Sequence, residues 1–146
     1  MTGVAVALAI FAGLAGSVQV AVMGRFGQRI GVIEALTFAT CIQLALSVAI
    51  LLVARLGTGG FAGGFRAPPW MWLGGLMGLT VVFTITFAQP RIGATATIGI
   101  LIAGQLVMGA VIDRYGLFGV DRIAISTPRA AGIVLLGIGA GLSLVR

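Results

Sequence analysis

Val32–Ala54 reads VIEALTFATCIQLALSVAILLVA, an almost unbroken apolar run with one carboxylate, Glu34, near its start. At about 1.5 Å rise per residue these positions make a helix roughly 35 Å long, enough to cross a hydrocarbon core about 30 Å thick. Working outward, four more runs have the same character: Gly3–Met23, Trp70–Ala88, Ile92–Ile112 and Pro128–Val145. Hydrophobic residues make up 60% of the chain and charged ones 8%, and the mean hydropathy is +1.20, far from the usual globular mixture. The expected fold is an all-α membrane protein of five transmembrane helices, with residues 1–146 forming a single membrane domain.

All the basic residues are arginines. Five spans place Arg55, Arg66, Arg114, Arg122 and Arg129 on one side of the membrane and Arg25, Arg29, Arg91 and Arg146 on the other. Orientation follows the Lys/Arg excess in short loops, with little contribution from acids, and a difference of one does not set it. The sequence therefore predicts dual topology, with an antiparallel homodimer as its natural consequence. The alternative is an orientation fixed by a partner or by the first helix. The net charge of +6 does not signal nucleic acid. The arginines are scattered over short loops as topology and headgroup anchors, with no phosphate-tracking stripe.

The boundaries are punctuated. Arg25 and Arg29 are expected to close the first helix, and the glycine-rich segment Arg55–Pro69 to be irregular, with Pro68-Pro69 stopping any helix through it. Trp70 and Trp72 suit a headgroup-level aromatic belt. Gln89-Pro90-Arg91 is expected to make a tight turn, and Thr127-Pro128 to start the last helix with a hydroxyl cap and a proline at the first position. The first apolar stretch is too long for a signal-peptide core and lacks a basic leader, so it is expected to be retained. Cys41 stands alone, leaving no disulfide framework.

Lipid cannot drive helices together hydrophobically, so association rests on close packing and interhelical hydrogen bonds. Gly74/Gly78 and Gly137/Gly141 are small-residue pairs, and Ala5, Ala9, Ala12, Gly16 and Gln19 share one face of the first span. Gln19, Gln43 and Gln105 put amides inside three spans, and Thr40, Gln43 and Ser47 make a polar stripe on the second. These groups act either as interhelical glue or as the lining of a substrate cavity near the midplane, where secondary transporters bind their solutes. Glu34 is the acid within a span, either a proton carrier or the partner of Arg29 or Arg25. Asp113-Arg114 and Asp121-Arg122 read as solvated or mutually paired loop charges.

With no histidine, one cysteine and no clustered acids, neither a metal site nor a nucleophile–base pair is legible, and no cofactor is expected. The glycine pairs follow no strand and precede no lysine, so they form no phosphate loop. An enzyme is not indicated.

Gly93-Ala94-Thr95-Ala96, then Ala103-Gly104-Gln105-Leu106, then Ile112-Asp113-Arg114-Tyr115-Gly116 together resemble the signature of the YdcZ-type family of inner-membrane exporters in the drug/metabolite transporter superfamily. Gln19 in a small-residue helix, Gly74-Gly75-Leu76-Met77-Gly78 after a tryptophan, and Arg129-Ala130-Ala131-Gly132 fit the same pattern. The resemblance implies a bacterial cytoplasmic-membrane location and transport of small molecules. It also implies five helices per chain, half of a ten-helix inverted-repeat transporter completed by an antiparallel copy or a paired homologous subunit. It points first to Gln105. Small multidrug resistance proteins differ: they have four helices and an essential glutamate in the first, where this chain carries Gln19. An amide cannot release a proton, so that exchange mechanism does not transfer.

The expected function is a secondary transporter working by alternating access on a neutral or weakly polar solute. Gln105, Gln19, Gln43, Thr40 and Ser47 would be its contacts and Glu34 its proton-coupling candidate. A dual-topology small-ion channel and a non-transporting membrane scaffold are the alternatives.

Overall fold

The computed structural model describes residues 2–55 and 61–145. Helix α1 runs Thr2–Ile30, α2 Val32–Arg55, α3 Leu73–Ile92, α4 Ala94–Tyr115 and α5 Thr127–Leu142, with short 3₁₀ turns at Phe61–Arg66, Pro69–Trp72 and Leu117–Gly119. Four stretches are long and apolar enough to cross a membrane: Gly3–Ile30, Val32–Ala54, Pro69–Ile92 and Ala94–Tyr115. The fifth helix is apolar and has 16 residues. At about 1.5 Å per residue that is roughly 24 Å, less than a full hydrocarbon core.

Two boundaries fall elsewhere than the sequence suggested. Arg25 and Arg29 do not end α1, which continues through both to Ile30. Gln89-Pro90-Arg91 is not a turn, because α3 carries Pro90 inside it and continues to Ile92. The breaks lie one step later, at single glycines with positive φ: Gly31 at +103° and Gly93 at +86°. Such angles are nearly closed to residues with a side chain, so each helix breaks where glycine permits. The adjacent arginines and proline mark the neighbourhood and not the hinge.

The two junctions share more than a glycine. Arg29-Ile30-Gly31 recurs as Arg91-Ile92-Gly93, and twelve residues beyond each glycine stands Gln43-Leu44 or Gln105-Leu106. The Gly31 amide donates to the Gly27 carbonyl and the Ala35 amide to the Gly31 carbonyl, both at 3.0 Å. The Gly93 amide donates to Gln89 at 2.9 Å and the Thr97 amide to Gly93 at 3.1 Å, the same pattern. Burial follows the same offset: Met23 with Ile85, Gly24 with Thr86 and Ala35 with Thr97 are all buried. The α1–α2 and α3–α4 junctions therefore repeat one design in sequence, backbone and burial.

The chain divides into two compact units, Val22–Phe87 and Met1–Ala21 with Ala88–Arg146. In the first, Met23, Gly24, Gly27, Ala35, Leu36, Ile85 and Thr86 are buried around the Gly31 junction. A Cβ on Gly27 would lie 2.6 Å from Thr86 Cγ2, so this glycine is needed for close approach. Phe26 and Phe38 pack edge to face across the junction, centroids 5.6 Å apart. The glycine-rich segment is not wholly irregular: Phe61–Arg66 is a 3₁₀ turn whose Gly64 carbonyl accepts a 3.1 Å bond from Trp72 Nε1. Residues 56–60 of that segment lie outside the described residues.

In the second unit α4 and α5 pack antiparallel. At one end a Cβ on Gly99 would lie 3.4 Å from Ala140 Cα. At the other, Asp113 pairs with Arg129 and its carbonyl accepts the Ile123 amide at 2.8 Å. Asp113, expected to be solvated or paired with Arg114, is thus a clamp between helices. It joins residues sixteen positions apart, a separation that sequence neighbours do not reveal. Gly116, at φ +65°, caps α4 beneath the Arg122 side chain. The cap of α5 is Ser126 and not Thr127, and it makes no side-chain bond. Pro128 sits in the first turn, where the amide it lacks has no partner to lose.

The buried residues in both units are mostly small, as expected where close packing must replace the hydrophobic drive. They are not the glycines singled out from the sequence. Gly74, Gly78, Gly137 and Gly141 face open space, and Gly27 and Gly99 make the close approaches instead.

Candidate functional site

The polar groups within the helices fall into two classes. Hydroxyls satisfy themselves: Thr40 Oγ1 donates to the Leu36 carbonyl at 2.9 Å and Ser47 Oγ to Leu44 at 2.9 Å. Thr37, Thr80, Thr84, Thr86 and Thr97 likewise bond back one turn at 2.7–2.9 Å. Such back-bonds cost a helix little and remove the need for another partner.

An amide is too long and carries too many donors and acceptors for the same solution. Among the described residues Gln19, Gln43 and Gln105 make no hydrogen bond. Gln19 is half-buried, and Gln43 and Gln105 are exposed. In hydrocarbon an unpaired amide costs several kcal/mol (about 4–8 on transfer to an alkane), so within a membrane each of these three calls for a polar partner or water.

Gln43 lies with Thr40 and Ser47 on one face of α2, as the stripe in the sequence indicated, and that face is exposed. These residues and Glu34 belong to the Val22–Phe87 unit; Gln19 and Gln105 belong to the other. Gln43 and Gln105 occupy equivalent places in the sequence repeat, each twelve residues beyond its junction glycine.

Glu34 does not pair with Arg25 or Arg29. Arg25 Nη1 instead donates to Gln28 Oε1 at 3.2 Å, and the ion pair found among the described residues joins Asp113 to Arg129. The Glu34 carboxylate folds back over Gly31, occupying the space a side chain there would need. It stands in the first turn of α2, where the exposed amides of a helix N-terminus favour an anion.

One polar residue was missed as a site candidate. Gln89, in the last turn of α3, has a buried Oε1 with no hydrogen-bond partner. Its repeat counterpart is Gly27. A buried orphan acceptor is rare and needs a donor. The legible signal was the recurrence of Arg-Ile-Gly, which shows the Gln89 segment to be helical.

Among the described residues no group of three or more His, Cys, Asp or Glu could hold a metal ion. Cys41 is exposed and free.

Residues 4–142 match the model of a family described as "Putative inner membrane exporter, YdcZ". The chain is 32% identical over 138 residues to "Inner membrane protein YdcZ" of Escherichia coli (strain K12), covering 93% of this chain and 91% of that protein. No solved structure matches it.

Proposed function

The chain belongs to the YdcZ family of inner-membrane exporters, a multi-pass protein of the bacterial inner membrane, and from that premise we propose a secondary transporter of the drug/metabolite transporter type. It moves a small neutral or weakly polar solute by alternating access, as an antiparallel dimer. Each chain supplies five helices, half of a ten-helix inverted repeat, with α5 completing the set. The partner is a second copy or a paired homologous subunit.

The observation that carries this proposal is the set of unsatisfied amides. Hydroxyl groups in these helices are self-contained, whereas Gln19, Gln43 and Gln105 are not. A transporter needs groups that exchange water for solute and back, and an amide offering both donor and acceptor suits an uncharged polar molecule. The equivalence of Gln43 and Gln105 in the repeat supports their acting alike. Thr40 and Ser47 flank Gln43 and add acceptor lone pairs. Glu34 is the proton-coupling candidate because it is the acid lying within a span.

The test is uptake by proteoliposomes of radiolabelled neutral and zwitterionic solutes, with counterflow as the mark of a carrier. Gln105→Leu and Gln43→Leu should each slow flux at least tenfold while the protein still assembles. Glu34→Gln should abolish acceleration by a proton gradient. Wild-type flux in both leucine variants rules out the amides as contacts, and single-channel conductance steps replace the carrier with a channel. Reporter fusions at both termini should give mixed orientation; one uniform orientation with no inverted companion subunit removes the antiparallel pair.

A further inference from the structure

A second feature lies at the end of α1, outside the transport residues. Val22, Arg25, Phe26, Gln28 and Arg29 line an open groove of about 490 Å³. Arg25 and Arg29 are one helical turn apart, so their guanidinium groups rise from the same face. Arg25 donates to the Gln28 side-chain oxygen at 3.2 Å, and the Gln28 amide nitrogen carries further donors.

Among the described residues no acid pairs with Arg25 or Arg29. The nearest carboxylate in sequence, Glu34, is folded over Gly31. Among the described residues Arg29 has no hydrogen bond or ion pair. Arg129, by contrast, is paired with Asp113, and Arg91, the repeat counterpart of Arg29, has a partner of its own.

Polarity in the groove is graded along the helix. Val22 is 58% exposed and stands at the apolar end; Arg25 and Phe26 follow, then Gln28 and Arg29. From residue 22 to 29 the helix rises about 10 Å, comparable with the polar layer of roughly 5–8 Å on each side of a bilayer's core. An acyl-glycerol segment against Val22 and Phe26 would bring a phosphate to the two guanidinium groups. Two basic side chains at this level favour an anionic headgroup through their charge.

We propose that this groove binds the headgroup of an anionic phospholipid, with Arg25 and Arg29 on the phosphate and Val22 and Phe26 against the glycerol end. The occupant is a lipid and not free phosphate, because Val22 and Phe26 give the groove an apolar end beside its charges. The site stands independently of the transport proposal.

The experiment is native mass spectrometry of the full-length protein, released from mixed micelles of phosphatidylglycerol and phosphatidylcholine. Wild type should retain phosphatidylglycerol in preference to phosphatidylcholine. Arg25→Gln with Arg29→Gln should weaken retention by about 30-fold, the effect of two basic residues at a charged membrane surface. Arg66→Gln with Arg114→Gln should leave it unchanged. Arg25→Lys with Arg29→Lys keeps the charge and should keep the preference, which guards against misfolding of the glutamine pair. Equal retention of both lipids by wild type overturns the proposal. So does unchanged retention in the glutamine pair, lost preference in the lysine pair, or displacement of the lipid by millimolar inorganic phosphate.

Discussion

Replacing Gly93 with alanine separates backbone strain from every other effect, since a Cβ there meets nothing within 4 Å. Its φ of 86° and ψ of 162° lie in a region used almost only by glycine, and holding another residue in such a conformation costs about 1–3 kcal/mol. Gly93→Ala should therefore destabilise by that amount without a steric clash. Gly31→Ala meets the same backbone penalty at φ 103° and also displaces the Glu34 carboxylate from above the glycine. That side chain is exposed and can swing away, so the extra cost should be small, and Glu34→Ala should remove it. Gly74→Ala and Gly137→Ala are the controls, since both glycines lie within helices and face open space. Alanine is favoured over glycine in a helix by up to about 1 kcal/mol, so these variants should be neutral or stabilised. Reversible unfolding in mild detergent with increasing denaturing detergent measures all of them. A Gly93→Ala protein as stable as wild type refutes the hinge assignment, and an equal loss in Gly74→Ala shows that glycine content, not φ, is at issue.

Gly27→Ala would force a methyl to within 2.6 Å of Thr86 Cγ2, and overpacking of this kind costs about 1–3 kcal/mol. Adding Thr86→Ser deletes the colliding carbon, keeps the hydroxyl that bonds Val82, and should recover most of the loss in the same unfolding assay. Asp113→Asn and Arg129→Gln, measured singly and together, should show a coupling of about 0.2–1 kcal/mol that shrinks as salt is raised, because the pair is partly solvent-exposed. Gln89→Leu replaces a buried acceptor that has no donor. It should leave stability unchanged or raised by about 1–3 kcal/mol if nothing else binds there, and a loss of flux at preserved stability would mark Gln89 as a solute contact.

The membrane class of this protein was legible in Val32–Ala54 and its neighbours, because hydrocarbon demands long apolar helices and little else meets that demand. The same holds for the polar face of α2: Thr40, Gln43 and Ser47 share it by helical spacing alone. The sequence also held the repeat around Gly31 and Gly93, but five matching positions do not stand out until two backbone angles coincide with them. What the residues could not decide were partnerships chosen in three dimensions. Glu34 had two arginines nearby in sequence and folded over a glycine; Asp113 had Arg114 beside it and paired with Arg129. The glycines that pack were chosen in the same way, Gly27 by Thr86 and Gly99 by Ala140, while the spaced pairs in α3 and α5 remained open. Local pattern fixes which segments are helical because each backbone amide finds its partner four residues away. Which side chains meet depends on where the helices break, and two of those breaks rest on glycine angles that no hydropathy pattern records.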